Sequence, residues 1–345
     1  MSTERAEPEV LTPAELDDHL ARGWYRMGYG LITTDLLLWR GELRSTIWTR
    51  LDVRGHRFKP SLRKLVAGNG RRFQVRVGKL VIDDEREHLY ARYLDKVGGE
   101  RVQCLADIVG GDRGRALFDT HEVSVWSQER LVAFSWYDLG EVSVQSLTGV
   151  YDPALARYSL GLYTMLLEIL QTAELGKHFH YSGYVLAEPS SMDYKRCVGD
   201  LQFFDPATSR WLSSPPFGPG QSPAEIMRRR LDEAEGELRR AGVDAVRYLN
   251  PSLQIRRLLE QAPQCPTQPL LLVCGATERS RVLVAWEQGL GVYALMRARP
   301  VVATLTREGV PPVEILLFFC EAELGELRTA EEVAGVVRVE LSSMP

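Results

Sequence analysis

The chain has 345 residues, 45% of them hydrophobic and 26% charged, with a formal net charge of −4 at pH 7. That length suits two or three domains, and that composition supports packed cores rather than a disordered chain. No apolar run has the length of a membrane span, and the polar start MSTERAEPEV lacks a signal-peptide core, so a cytoplasmic chain without membrane contact is expected.

Five cysteines (Cys104, Cys197, Cys265, Cys274 and Cys320) are scattered and match no zinc or iron–sulfur spacing, which suits reduced thiols. The charge is distributed unevenly. Between Arg40 and Lys79 twelve Lys or Arg stand against two acids, Glu42 and Asp52. On an otherwise acidic chain this is the footprint of a phosphate-binding surface, although a solvated basic face has the same composition. Trp39, Trp48, Phe58 and Phe73 nearby could stack on unpaired bases or belong to a core.

Along the chain, residues 12–23 predict a short helix, with Thr12 as cap, Pro13 in the first turn and Glu15 three residues after the cap. GWYRMG follows, then strand-like runs over 36–38 and 46–53. The segment 83–97 predicts a helix, because Leu89, Tyr93 and Val97 recur at four-residue spacing behind Asp83. Strands are expected over 122–126 and 130–138 around a turn at 127–129, and again over 142–151. Asp152-Pro153 opens a helix expected over 154–175 and ended by Gly176, followed by a strand over 178–185. Residues 192–195 read as extended or as a short turn. SSPPFGPGQSP is a linker. Beyond it an amphipathic helix over 224–241, a second near 253–261, five strand-like runs (270–274, 282–286, 292–296, 301–305 and 313–319) and a short helix near Ala330 form a further α+β unit.

Several pieces stand in a telling order. DPALARYSLGLYTMLLEI precedes Gly183-Tyr184, which precedes Met192-Asp193-Tyr194-Lys195; upstream lie Gly23-Trp24-x-Arg26-x-Gly28 and Lys59-Pro60-Ser61-Leu62-Arg63-Lys64-Leu65 with Asn69. This pattern resembles the aminoacyl-tRNA–protein transferases, the arginyl- and leucyl-transferases that extend protein N-termini in the N-degron pathway. The chain departs from them in two places: it has no cysteine between Met1 and Gln103, where the family carries a cluster, and no histidine after the Tyr90-x-x-Tyr93 pair.

The resemblance implies an α+β fold with a GNAT-like acyltransferase core over 78–213 and a basic N-terminal domain over 1–77; residues 222–345, which it does not cover, read as an extra C-terminal α+β domain. It implies aminoacyl-tRNA as co-substrate, arginine or leucine as the donor residue, and a protein or peptide N-terminus as acceptor, with no other cofactor. No metal is expected, since His178 and His180 have no third ligand at a matching distance.

Such a transfer is ester aminolysis. An α-amine titrates near 7.7–8.0, so alignment with the ester can replace a strong base, leaving the oxyanion and the departing ribose oxygen to be stabilised. Ser159, Leu160 and Gly161 begin a helix whose free N–H groups could cradle a phosphate or oxyanion; equally, the serine could cap and the glycine allow close packing. Tyr163 could offer its hydroxyl to the ribose, or lie in the core. Lys195, beside Tyr194, could pair with the terminal phosphate or an acidic acceptor side chain, and Glu188 could hold the acceptor amine. Tyr90, Tyr93, Asp138, Asp152, Tyr184 and Met192 are expected to line the pocket, with Asp152 also a helix start. Arg54, Lys59, Arg63, Lys64, Arg71, Arg72 and Arg76 are expected to bind tRNA. Cys197 reads as a small buried residue.

Two other readings keep the scaffold. One is an N-acyltransferase using acyl-CoA, although Arg157 to Gly161 places its basic residue one position away from the Q/R-x-x-G-x-G/A turn and lacks the second small residue. The other is a non-catalytic interaction protein, favoured by the missing cysteines and histidine.

Overall fold

The computed structural model describes residues 4–97, 102–251, 264–275, 280–307 and 310–344. It divides into two compact units, a larger one of residues 2–35 with 46–218 and a smaller one of 36–45 with 219–345. The expected boundary at 77/78 is absent from this division. A cut there would sever a strand over Gln74–Lys79 that pairs along its whole length with the strand over Thr120–Ser127.

In chain order the first elements are β1 (Glu4–Ala6), α1 (Pro13–Ala21), β2 (Tyr25–Met27), β3 (Gly30–Thr33), β4 (Leu36–Trp39) and β5 (Glu42–Asp52). Thr12 and Glu15 form a reciprocal capping box at α1, satisfying N–H groups that a helix start leaves unpaired. Next come α2 (Pro60–Gly70), β6 (Gln74–Lys79), α3 (Asp84–Val97), α4 (Leu105–Val109), α5 (Gly111–Leu117), β7 (Thr120–Ser127), β8 (Arg130–Leu139) and β9 (Ser143–Tyr151). They are followed by α6 (Leu160–Glu174), β10 (Phe179–Leu186), β11 (Leu201–Asp205) and β12 (Arg210–Leu212).

The single helix expected over 154–175 is two elements. Pro153–Tyr158 is a 3-10 segment, and Ser159 adopts a left-handed conformation (φ 50°) before α6 begins. Residues 193–197 form a 3-10 turn, the second of the two conformations expected there.

In the larger unit β1, β3 and β2 make a small antiparallel sheet, and the main sheet runs in the order β12-β11-β5-β10-β9-β8-β7-β6. Its only parallel pair among the described strands is β9–β10. Alternate side chains feed opposite faces of the sheet. Phe134, Trp136 and Val150 pack with Leu89, Tyr90 and Tyr93 of α3. Ala133 and Val125 pack with Leu160 and Tyr163 of α6.

The smaller unit contains α7 (Pro223–Arg240), the antiparallel strands β13 (Ala245–Leu249), β14 (Leu270–Cys274), β15 (Arg281–Glu287), β16 (Val292–Arg307) and β17 (Val310–Leu327) in that sheet order, and α8 (Ala330–Ser343). The runs expected at 292–296 and 301–305 are one strand, which shifts register at Leu295/Met296 and Arg297/Ala298 and so continues through Pro300. α8 is a 14-residue helix rather than a short one. Both helices bury their apolar stripes (Met227, Leu231, Leu238, Val333, Val337) on this sheet, together with Leu36 and Leu43. The helix expected near 253–261 lies outside the described residues. No helix among the described residues is long and apolar enough to cross a membrane.

Candidate functional site

The centre of the main sheet is where its two parallel strands part. β9 and β10 pair only over Ser143–Gln145 and Phe179–Tyr181. Beyond that, β9 continues beside β8 and β10 beside β5. Against β5, Tyr181 faces Arg50 and Gly183 faces Thr49, so Ser182 is the extra residue of a bulge. Gly183 follows with φ +86°, a conformation a side chain disfavours. Its N–H donates to the Tyr25 hydroxyl, and its carbonyl accepts from Thr49 Oγ1 at 2.8 Å. The Tyr25 ring stacks on Trp48 with centroids 4.4 Å apart, and Trp48 meets Tyr184 edge-on at 5.4 Å.

Lys195 enters this place from the 3-10 turn. Its Nζ donates to the Tyr184 carbonyl at 3.1 Å, and a Cβ added to Gly183 would stand 3.2 Å from that nitrogen. The glycine therefore makes room for the lysine. Burial lowers the Lys195 ammonium to a pKa of about 8, with the charge of Glu168 pulling the other way. Burial likewise pushes the Tyr25 phenol well above its ordinary range.

The loop carrying the lysine is pinned by local bonds. Ser190 N–H donates to Asp193 Oδ2 (2.9 Å), and Arg196 Nη2 donates to the Leu186 carbonyl (2.9 Å). Behind the bulge, Glu168 Oε2 lies 3.1 Å from His180 Nε2, and His180 Nδ1 lies 3.1 Å from Ser182 Oγ. Glu168 and His180 are wholly buried and Ser182 nearly so. Glu168 Oε1 has no hydrogen-bond partner among the described residues.

The G-Y and M-x-Y-K pieces thus meet through Tyr184 and Lys195. Met192 starts the turn, and Tyr194 is exposed. Glu188 is buried in the intervening loop.

At the α6 start, Ser159 makes no side-chain cap, so the capping alternative does not hold. Gly161 is a packing glycine, since a Cβ there would stand 3.1 Å from the Tyr151 ring. Leu160 and Tyr163 are buried in the core, and burial raises the Tyr163 phenol. Tyr163 therefore cannot offer its hydroxyl to a ribose here.

The turn does adjoin basic residues. Asn69 Nδ2 donates to the Tyr158 carbonyl at 2.9 Å, and the guanidinium groups of Arg72 and Arg157 lie 4.5 and 4.8 Å from the Tyr158 ring. Arg54, Lys59, Arg63, Lys64, Arg71, Arg72 and Arg76 are all exposed. Arg54 is held by Asp52; the other six form no ion pair among the described residues. Of the twelve cations, Arg40 and Arg44 belong to the smaller unit, and Arg50 is clamped between Phe179 and Trp211. Trp48, Phe58 and Phe73 are core, which removes them as base-stacking platforms.

Several expected pocket residues serve the fold instead. Tyr90 and Tyr93 lie in the α3 core, with the Tyr90 hydroxyl donating to the Val102 carbonyl at 2.6 Å. Asp138 is wholly buried and accepts from Arg26 (2.7 Å) and Thr120 (2.6 Å), so it is not open to an acceptor amine. Asp152 caps the 3-10 segment through Ala154 N–H, as its helix-start reading expects, and pairs with Arg130 at 3.4 Å. His180 turns to Glu168 and Ser182, and no group of three His, Cys, Asp or Glu among the described residues could hold a metal. A cavity of about 310 Å³ lined by Leu11, Leu16, Phe118 and Leu139 lies elsewhere in this unit and includes none of the expected site residues.

Sequence reasoning missed Tyr25, Glu168 and Ser182, and weighed Trp48 only as a base-stacking or core residue and His180 only as a metal ligand. Tyr25 sits inside the GWYRMG segment and Glu168 inside the E-I step of the long motif, so position in a motif was the available signal. Nothing local marked Ser182.

Residues 72–205 match the family model described as "Arginine-tRNA-protein transferase, C terminus". The chain is 30% identical over 140 residues to an aspartate/glutamate leucyltransferase of Leptospira interrogans, covering 39% of this chain and 54% of that one. It is 30% identical over 156 residues to the protein of the same name from Phenylobacterium zucineum, covering 42% and 60%. The chain thus spans little more than half the length of the curated relatives it matches. Among solved structures, L-PGS from Bacillus licheniformis is similar at a TM-score of 0.32 and 12% identity, over 42% of this chain and 48% of that one, which is too distant to bear on the fold.

Proposed function

We propose that this chain, whose residues 72–205 match the arginine-tRNA-protein transferase C-terminal model, is an aminoacyl-tRNA–protein transferase that moves an amino acid from a tRNA ester to the N-terminal amine of a protein. The family match over that segment is the observation that carries the reading. The larger unit is then the catalytic one, with a GNAT-type core whose parted β9 and β10 make the cleft. Donor residues are arginine or leucine, and acceptors begin with Asp or Glu, as the name shared by the relatives indicates.

The chemistry is compact. The acceptor nitrogen attacks the ester carbonyl, the C–N bond forms, the C–O bond to the ribose breaks, and the amine proton ends on the ribose oxygen. The unpaired N–H groups at the start of α6 and the exposed cations of α2 and its flanks hold the tRNA end. Lys195, with two of its three donors unused by the Tyr184 carbonyl, faces the developing negative charge, protonates the leaving oxygen and takes up in turn the proton that the attacking amine releases, so the net transfer is from amine to ribose. A lysine near 8 suits that role at neutral pH, because it is charged before the step and gives up its proton readily.

The test uses the full-length chain at low salt, arginine- or leucine-charged tRNA carrying a labelled amino acid, and peptides beginning with Asp or Glu. Labelled peptide from one donor is expected; no label from either overturns the proposal. Reversing Arg71 and Arg72 to Glu should weaken tRNA binding and lower the slope of log affinity against log salt by about two. An unchanged slope would remove the α2 flank from the tRNA path.

A further inference from the structure

We propose that Glu168, acting through His180 and Ser182, is a positioning residue that holds the β10 bulge and the ammonium of Lys195 in their working arrangement; its catalytic consequence rests on the transferase reading above. The first support is the line itself. Glu168 Oε2 to His180 Nε2 and His180 Nδ1 to Ser182 Oγ are both 3.1 Å, and the three side chains are shut off from solvent. With Nε2–H donating to the carboxylate, Nδ1 is left to accept from the Ser182 hydroxyl. One end of the line is a carboxylate and the other is a bulge.

The second support is what the bulge presents. Ser182 is the extra residue, and the next two residues are the groups that meet the lysine: Gly183, whose missing side chain leaves the space, and Tyr184, whose carbonyl accepts from Nζ. A bulge re-aims the backbone that follows it, so tethering Ser182 sets where that carbonyl points. Gly183 N–H is tied to the Tyr25 hydroxyl from another direction.

The third support is incompleteness. Asp138 also leaves one buried oxygen unpartnered but has Arg26 against it at 2.7 Å, whereas Glu168, with one oxygen unpartnered, forms no ion pair with a Lys or Arg among the described residues, a poor way to stabilise a fold. It becomes intelligible if its charge acts on a neighbour. Tyr184 of β10 has its ring 5.6 Å from the Lys195 Nζ, Tyr25 of β2 approaches the same Gly183 as that nitrogen, and Glu168 of α6 is the carboxylate whose charge bears on the ammonium.

The experiment is NMR titration of the full-length chain carrying ε-13C lysine, with K195R identifying the Lys195 resonance. In E168Q the Lys195 midpoint should fall by about one pH unit. The smaller protonated fraction should then lower kcat about fivefold at pH 8 while KM for charged tRNA holds. A packing role alone would leave the midpoint in place, and an unmoved midpoint in folded E168Q overturns the proposal. If E168Q does not fold, the tautomer of His180 in the unmodified chain decides: 15N shifts showing an Nε2-protonated ring support the line, and an Nδ1-protonated ring overturns it. A shifted midpoint with no transfer from any charged tRNA would sink the transferase reading and leave the positioning role standing; transfer with an unmoved midpoint would do the opposite.

Discussion

Two buried carboxylates in the larger unit meet their cations on different terms. Glu122 on β7 receives Arg86 through two bonds of 2.6 Å, and Trp136 Nε1 adds a third at 3.0 Å, so both of its oxygens are satisfied. Burial pulls the Arg86 guanidinium down, but Glu122 and Asp83 more than reverse it, and its pKa ends above the ordinary value. Glu168 on α6 has one oxygen on His180 and the other unpartnered, and Lys195 keeps the lowering that burial imposes. A closed pair locks two elements together and has nothing left to offer a substrate. An open one costs stability and leaves a cation with donors to spare.

Breaking the closed pair should have the largest effect. Arg86→Ala strands Glu122 in the core, and urea unfolding should show a loss of about 3–5 kcal/mol. A loss under about 1 kcal/mol would mean that water reaches Glu122 and that the two sites differ less than drawn.

The open site should respond in the opposite way. Lys195→Met should abolish transfer while leaving the thermal midpoint no lower than that of the unaltered chain. The pH dependence sharpens this. The folded pKa near 8 lies below the ordinary 10.5, so the unfolded chain binds the extra proton between those values. Stability from this group therefore rises as pH climbs through that window and is lost as pH falls through it, and the Met variant should lack that rise. A clear drop in the thermal midpoint at pH 7 would place Lys195 among the residues that hold the fold.

The smallest effect belongs to the α6 turn. Ser159 sits at φ 50° without a cap bond, so Ser159→Gly relieves a left-handed strain at some entropic cost and should raise stability by under about 1 kcal/mol in urea. Reduced transfer at unchanged stability would show that the hydroxyl touches the substrate.

Much of the local structure was legible because its causes are local. The Thr12–Glu15 capping box, the β7–β8 turn at 127–129 and the stripe of α7 follow from capping chemistry, turn chemistry and period. The unbroken helix over 154–175 was misjudged because no residue type there announces a left-handed Ser159; the neighbouring Tyr158 meets Phe73 edge-on and lies under the Arg72 guanidinium. The domain boundary at 77/78 failed because a basic composition does not reveal that β6 completes the main sheet.

The sequence by itself determined many of the helices and strands, where positive charge gathers, and which motif pieces belong together, since each depends on neighbours a few residues away. Only the tertiary structure decided which tyrosines are spent on the core, that Asp138 is already taken by Arg26, and that Tyr25 reaches Gly183 across 158 residues of chain. Those choices depend on sheet register and on the place where β9 and β10 separate, and a register is settled by every strand in the sheet at once.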